Sequence, residues 1–368
     1  MENGESDRDW VFSVADARIA TKREVEMTHA ETDERLERLE ALVRRDPAGR
    51  GLISSEADRG VLCAGHLSGA VKSLVENPGP VAILTGFFIP HANPAAAETD
   101  GPPGAVTLGR VLSGLGHQVV LMTDEPCRGG LVASARAAGL DDVPLEVVPL
   151  AGASQWCHEF LSRRQQGDGL KHLVAIERVG PSHDLDSMTV QPREGAPPEA
   201  EFLERVPNET WGCCHNMRAR VIDEWTADVS VLFDRLNEFC PDAVTIGIGD
   251  GGNEIGMGAV AWEELVARLP GDHSARIPCR IATDWNVLAG ISNWGAWSLS
   301  AAVALFAGRV DLVEPLSLDW QYELVKRLVA EGPGVDGPSG EAVVGVDGLS
   351  MDDYLVPWSG IRGELGLL

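Results

Sequence analysis

The first extended pattern along the chain is helical. Thr28 and Glu31 are spaced as in a capping box, and Leu36, Leu39, Leu42 and Val43 then recur at helical steps until Asp46-Pro47-Ala48-Gly49 ends the run. A second helix is expected over 55–76, stopped by Asn77-Pro78-Gly79-Pro80. From residue 81 the pattern changes. Apolar runs of strand length at 81–85, 118–123, 145–150, 172–176, 243–248 and 277–283 alternate with helical stretches near 104–115, 129–138, 154–166, 215–239, 254–268 and 292–306. Strands apolar on both faces, each followed by a helix, predict a doubly wound, mostly parallel α/β sheet with helices on both faces, a Rossmann-like three-layer fold. Such sheets bind ligands at the carboxyl ends of their strands. Residues 1–32 are expected to be an acidic, flexible segment and 33–368 one large domain. The polar, proline-rich stretch at about 181–210 is too long for an ordinary connection and is expected to be a lid or a disordered insertion.

Composition narrows the function classes. The 56 acids and 30 bases give a formal charge of −26, a field that repels nucleic-acid phosphates and anionic membrane surfaces. An anionic substrate must then be captured by local arginines. No run approaches the roughly 18 apolar residues of a membrane span, and the first thirty residues lack a basic-then-apolar leader, so a cytoplasmic address is expected. Seven scattered cysteines, without CxxC or zinc-type Cys/His spacing, predict buried thiols and no disulfide framework; this includes Cys213 and Cys214 beside His215.

The densest motif is Gly247-Ile248-Gly249-Asp250-Gly251-Gly252-Asn253-Glu254-Ile255-Gly256-Met257-Gly258. It contains a formal GxGxxG, but Asp250 and Glu254 would face the pyrophosphate that such a loop cradles, so no nucleotide cofactor is expected. Carboxylate and amide oxygens from Asp250, Asn253 and Glu254 suit a hard cation, Mg²⁺ or Mn²⁺. A second group, Glu98-Thr99-Asp100-Gly101-Pro102-Pro103-Gly104, follows the first sheet strand; it could offer two carboxylates to an ion or a substrate amine, or serve only as a turn before a helix. Glu177-Arg178 stands at another strand end, and Asn216-Met217-Arg218 follows the long stretch; arginine suits planar carboxylate recognition. In Gly290-Ile291-Ser292-Asn293-Trp294-Gly295, Ser292 or Asn293 could cap the next helix and leave its N–H groups facing an anion.

In this order, ETDGPPGA at 98–105, Glu177-Arg178, GIGDGGNEIGMG at 247–258 and GISNWG at 290–295 resemble the C-terminal domain of the D-glutamate cyclase family, with RDPAGRGL at 45–52 also similar. The stretch joining Glu177-Arg178 to Asn216-Met217-Arg218 is longer than the family pattern, and Ala219 stands where glycine is often found. The resemblance implies a carbon–oxygen lyase that converts D-glutamate to 5-oxo-D-proline with loss of water. It implies Glu98, Asp100, Asp250 and Glu254 as catalytic acids, with Glu98 or Asp100 as base. Thr99, Arg178, Asn216, Arg218, Ser292, Asn293 and Trp294 would contact substrate, and Glu177, Asp250, Asn253 and Glu254 would hold the divalent metal. The expected partner is a small acidic amino acid, with self-association left open. Other readings of the same carboxylates are a metal-dependent phosphatase or hydrolase of a small anion, a non-catalytic domain that binds metal or an amino acid, and a nicotinamide oxidoreductase.

Overall fold

The computed structural model describes residues 29–368. The flexible segment expected before residue 32, and the Thr28 half of the capping box, therefore lie almost wholly outside the described residues.

Six strands form one parallel sheet: β1 (Pro80–Thr85), β2 (Gln118–Asp124), β3 (Leu145–Val148), β4 (His172–Ile176), β5 (Val244–Gly249) and β6 (Trp285–Leu288), in the order β3-β2-β1-β4-β5-β6. The order reverses beside β1, the place where doubly wound sheets open a crevice. Alternation along β1 shows why its residues are apolar on both sides: Val81 and Ile83 join one buried cluster, Ala82 and Leu84 the other. One layer contains α1 (His29–Val43), α2 (His66–Glu76), α3 (Pro102–Gly114), α4 (Arg128–Ala137), α7 (Ser292–Phe306), α8 (Leu318–Glu331) and α9 (Val356–Glu364). The opposite layer is built on α5 (Ala153–Gln166) and α6 (Trp262–Arg268). Helix α7 is apolar on all sides because it is buried from Ser292 through Leu305, which places its first turn inside the molecule. No helix among the described residues is long and apolar enough to cross a membrane.

Several expected elements are replaced. The run 277–283 is not a sheet strand. It covers the glycine loop, accepting from Gly256 and Gly258 at the Ile281 carbonyl, and the sixth strand is Trp285–Leu288. Residues 215–229 contain a 3-10 turn at Asp223–Trp225 but no α-helix where one is expected, and short helices at Ser230–Asp234 and Leu236–Phe239 follow. Local side-chain bonds compete there with helix: Asn216 Oδ1 accepts from Arg218 N and Arg220 N, and Asp223 Oδ1 from Cys214 N. The helix expected at 254–268 begins only at Trp262. The 55–76 helix is broken into Glu56–Arg59 and His66–Glu76 by a turn in which Gly65 has φ 79°.

The 181–210 segment is ordered. It forms helices Leu185–Val190 and Glu199–Arg205, whose Met188 and Phe202 pack with Val206 against Trp262 of α6. Gln191 staples it by donating to the Gly258 and Val260 carbonyls at 2.8 and 2.7 Å.

Candidate active site

Strand order determines which loops meet. Because β1, β4 and β5 are neighbours and Thr85, Ile176 and Ile248 are in register, Glu177 and Asp250 leave the sheet side by side, and the loop after β1 brings Glu98 and Asp100 to the same edge. The buried N-terminus of α7 closes the group. Ser292 N donates to Asp100 Oδ2 at 2.9 Å and Asp250 Oδ2 at 3.1 Å, Asn293 N donates to Asp100 Oδ1 at 2.8 Å, and Ser292 Oγ donates to Glu177 Oε2 at 2.7 Å. The positive end of the helix dipole thus faces three carboxylates. One oxygen from each of Asp100, Glu177 and Asp250 lies within 4.8 Å of the others, close enough to share one cation.

A second layer sits above. Arg50 pairs with Asp250 at 3.0 Å and with Asp347 at 2.9 Å, linking the loop after α1 to the turn of a hairpin made by Gly345–Val346 and Leu349–Ser350. Glu177 and Asp347 both adopt left-handed backbone, with φ of 45° and 55°. Non-glycine residues there cost energy that the surroundings must supply, and such outliers gather at functional sites. Glu98, Arg50 and Asp347 form the floor of a cavity of about 280 Å³, walled by Phe87, Ile89, Met217, Pro270 and Pro338, with Arg218 and His91 at its rim. Packing at the floor is tight enough that a Cβ on Gly337 would fall 2.4 Å from Glu98 Oε2.

Charge is unevenly balanced. Glu98, Asp100, Glu177, Asp250, Glu254 and Asp347 are all buried, and the guanidinium that pairs with them is Arg50. Burial, followed by repulsion from Asp347 and Asp100, pushes the Glu98 carboxyl well above the usual range, although a hydrogen bond with Glu177 opposes this. Burial, then repulsion from Glu254, Glu98 and Asp100, does the same to Glu177. Asp250 is raised by burial against the pull of Arg50. Asp100 is pushed up to about 7, by burial first and Asp347 next. Desolvation alone would lower Arg50, but Asp250 and Asp347 outweigh it and raise it.

The structure thus gathers most of the expected residues and reassigns several. Glu98 reaches the cavity; Asp100, Glu177 and Asp250 lie beneath it. Glu254 is a brace, since its two oxygens accept from Gly251 N and Gly252 N at 2.7 and 2.8 Å, and the same bonds occupy the amides that a nucleotide loop would offer. Asn253 donates to the His215 carbonyl and stands outside the three-acid group. Arg178, expected to hold a substrate carboxylate, is instead a buried strut, bonded to Asp124 at 2.5 Å and to the Gly86 and Ala227 carbonyls. Thr99 donates to Gly345 O, and the Trp294 indole, buried in the core, to Tyr354 O. Both polar groups are thus bonded within the fold. Ser292 and Asn293 do present helix N–H groups to anions, but the anions are the protein's own carboxylates; the Asn293 side chain meanwhile holds Gly101 N and Gly104 N. Asn216 and Arg218 line the cavity, and the Arg218 guanidinium donates to the Pro338 carbonyl.

A family model described as D-glutamate cyclase-like, C-terminal, matches residues 39–193 and 200–356. This chain belongs to that D-glutamate cyclase-like family. Human mitochondrial D-glutamate cyclase is 30% identical over 276 residues, which cover 73% of this chain and 39% of that protein, so the chain spans about two fifths of the relative's length. The break in the cyclase-like match, at 194–199, falls inside the helical insertion. Arg50 and Asp347 were not singled out from sequence. Arg50 lies in the RDPAGRGL segment, whose similarity to the family carried no chemical role, and Asp347-Gly348 is an Asp-Gly pair of the kind that forms a two-residue hairpin turn, with φ of 55° and 76°.

Proposed function

We propose that this chain cyclises D-glutamate to 5-oxo-D-proline with release of water, the activity named for its human relative. The observation that carries the reading is Glu98, a carboxyl of raised pKa on the floor of a cavity large enough to admit glutamate, backed by buried acids. Arg218 at the rim holds the substrate α-carboxylate. The acidic floor attracts the ammonium group, and ionised Glu98, made more basic by its surroundings, takes a proton from it. Glu98 passes that first proton to the γ-carboxylate, making it a carboxyl. The freed amine attacks its carbon, the C–N bond closes the ring, and Glu98 then takes the second proton from the nitrogen and gives it to the hydroxyl as the C–O bond breaks and water leaves. One group therefore serves both transfers, and atoms balance as glutamate giving lactam and water.

Asp100, Glu177 and Asp250 fit a hard divalent cation, because they present three convergent carboxylate oxygens within a surplus of buried negative charge that protons or a metal must offset. When bound, Mg²⁺ or Mn²⁺ would supply positive charge that polarises a carboxyl oxygen. The test is to incubate purified protein with D-glutamate, with and without each metal, and to quantify 5-oxoproline chirally. Formation above the spontaneous rate, with D favoured over L, supports the reading; none with either metal or without defeats it.

A further inference from the structure

Glutamate is a dicarboxylate, and the cavity is poorly made for one. Among the described residues lining it, the positively charged side chains are Arg50 and Arg218. Arg50 is consumed by Asp250 and Asp347, which leaves Arg218 for one substrate carboxylate. His91 adds no charge, because burial and the neighbouring Arg218 and Arg220 lower its pKa. A γ-carboxylate would thus enter between Glu98 and Asp347 with no arginine left to pair with it among the described lining residues. The cavity is also bounded by Phe87, Ile89, Met217, Pro270 and Pro338, an apolar wall with nothing in glutamate to cover it.

We infer that the site takes γ-substituted D-glutamyl compounds, amides or esters with an apolar group on the γ-carbonyl, and cyclises them with release of that group. The inference rests on the cyclase reading and extends its substrate class. In such a compound the α-amine nitrogen attacks the γ-carbonyl carbon, the C–N bond of the ring forms, and the bond to the leaving amine or alkoxide breaks. The α-ammonium first gives one proton to solvent; the second, taken by Glu98 as the amine attacks, passes to the leaving group, so water is neither made nor consumed and no co-reactant is needed. The γ-carbonyl carries no charge, so the acid floor does not repel it, and the substituent lies against the apolar wall. Free glutamate has its γ-carboxyl protonated in only about one molecule in 500 at pH 7, taking an ordinary pKa near 4.3, whereas the amide or ester is always neutral there.

The test compares D-glutamic acid γ-(4-nitroanilide) with D-glutamate on the full chain at pH 7. Nitroaniline release is followed optically and 5-oxoproline chirally, and the L-anilide reports background. The expected result is equimolar nitroaniline and 5-oxo-D-proline, little turnover of the L-anilide, and kcat/KM at least tenfold above that for D-glutamate. If D-glutamate is cyclised while the D-anilide is neither turned over nor a competitive inhibitor, the inference falls and the dehydration reading stands. If the D-anilide reacts and D-glutamate does not, the inference stands and dehydration falls. If neither reacts, both fall. Release of free glutamate in place of 5-oxoproline would mark hydrolysis and overturn the inference as well.

Discussion

Asp100→Asn should flatten the pH dependence of stability. In the native protein the Asp100 carboxyl titrates at about 7, against an ordinary value of 3.8. Between these two values the unfolded chain has released its proton while the native state retains it, so stability falls as pH rises through this window. The difference of about 3 units corresponds to about 4 kcal/mol, fully felt above about pH 7. Asparagine removes that titration. It also replaces one anionic oxygen with an amide nitrogen, so one of the donors Ser292 N and Asn293 N loses its acceptor, at a cost of about 1–3 kcal/mol. In chelator, the variant should therefore be about 1–3 kcal/mol more stable than the parent near pH 8, and within about 1.5 kcal/mol of it near pH 5, where about 1.6 kcal/mol of the parent's loss has already accrued. Urea unfolding followed by circular dichroism at the two pH values measures both numbers. Saturating Mg²⁺ or Mn²⁺ should restore the parent's advantage near pH 8, since Asp100 is one of the three convergent acids. Parallel pH curves for the two proteins in chelator would refute the reasoning.

Arg218→Gln should raise KM for D-glutamate about 10- to 100-fold with kcat changed little, since a charge-assisted hydrogen bond contributes about 1.5–3 kcal/mol; an unchanged KM in steady-state kinetics would remove Arg218 from the binding scheme. Arg50→Gln leaves Asp250 and Asp347 without their partner among other acids, and should destabilise the protein by about 3–5 kcal/mol near pH 8, read from the urea midpoint, with a smaller loss near pH 5 where more of the cluster is protonated. Ala219 has φ 53°, so Ala219→Gly should relieve left-handed strain and raise stability by about 1 kcal/mol, seen as a higher melting temperature at constant pH.

What the sequence made legible follows physical periodicity. Strands β1, β2, β4 and β5 are buried on both faces, and their apolar runs stand out without any partner in view. Residues 277–283 are equally apolar for a different reason, since they roof the glycine loop, and a one-dimensional pattern does not distinguish a roof from a sheet strand. The helix expected across 215–239 fails because Asn216 and Asp223 turn their side chains onto the backbone, an outcome that needs the neighbouring loops to be in place. At the site, Glu98, Asp100, Glu177 and Asp250 were legible as acids at strand ends. Their division of labour was not, because it depends on the burial that leaves Glu98 at the cavity and puts the other three beneath it. Arg178 shows the limit from the other side: an arginine at a strand end reads as a ligand clamp, and only the folded chain reveals Asp124, from the end of β2, paired with it.

The measurement closest to the account's centre is the turnover of D-glutamate by Glu98→Gln beside the parent protein, with binding of 5-oxo-D-proline followed calorimetrically in both. Glutamine keeps the shape of the cavity floor but cannot move a proton, so binding should persist while 5-oxoproline formation drops by about 10²–10⁴-fold, the usual contribution of a positioned acid–base group. A Glu98→Gln protein that cyclises D-glutamate at the parental rate would contradict the account.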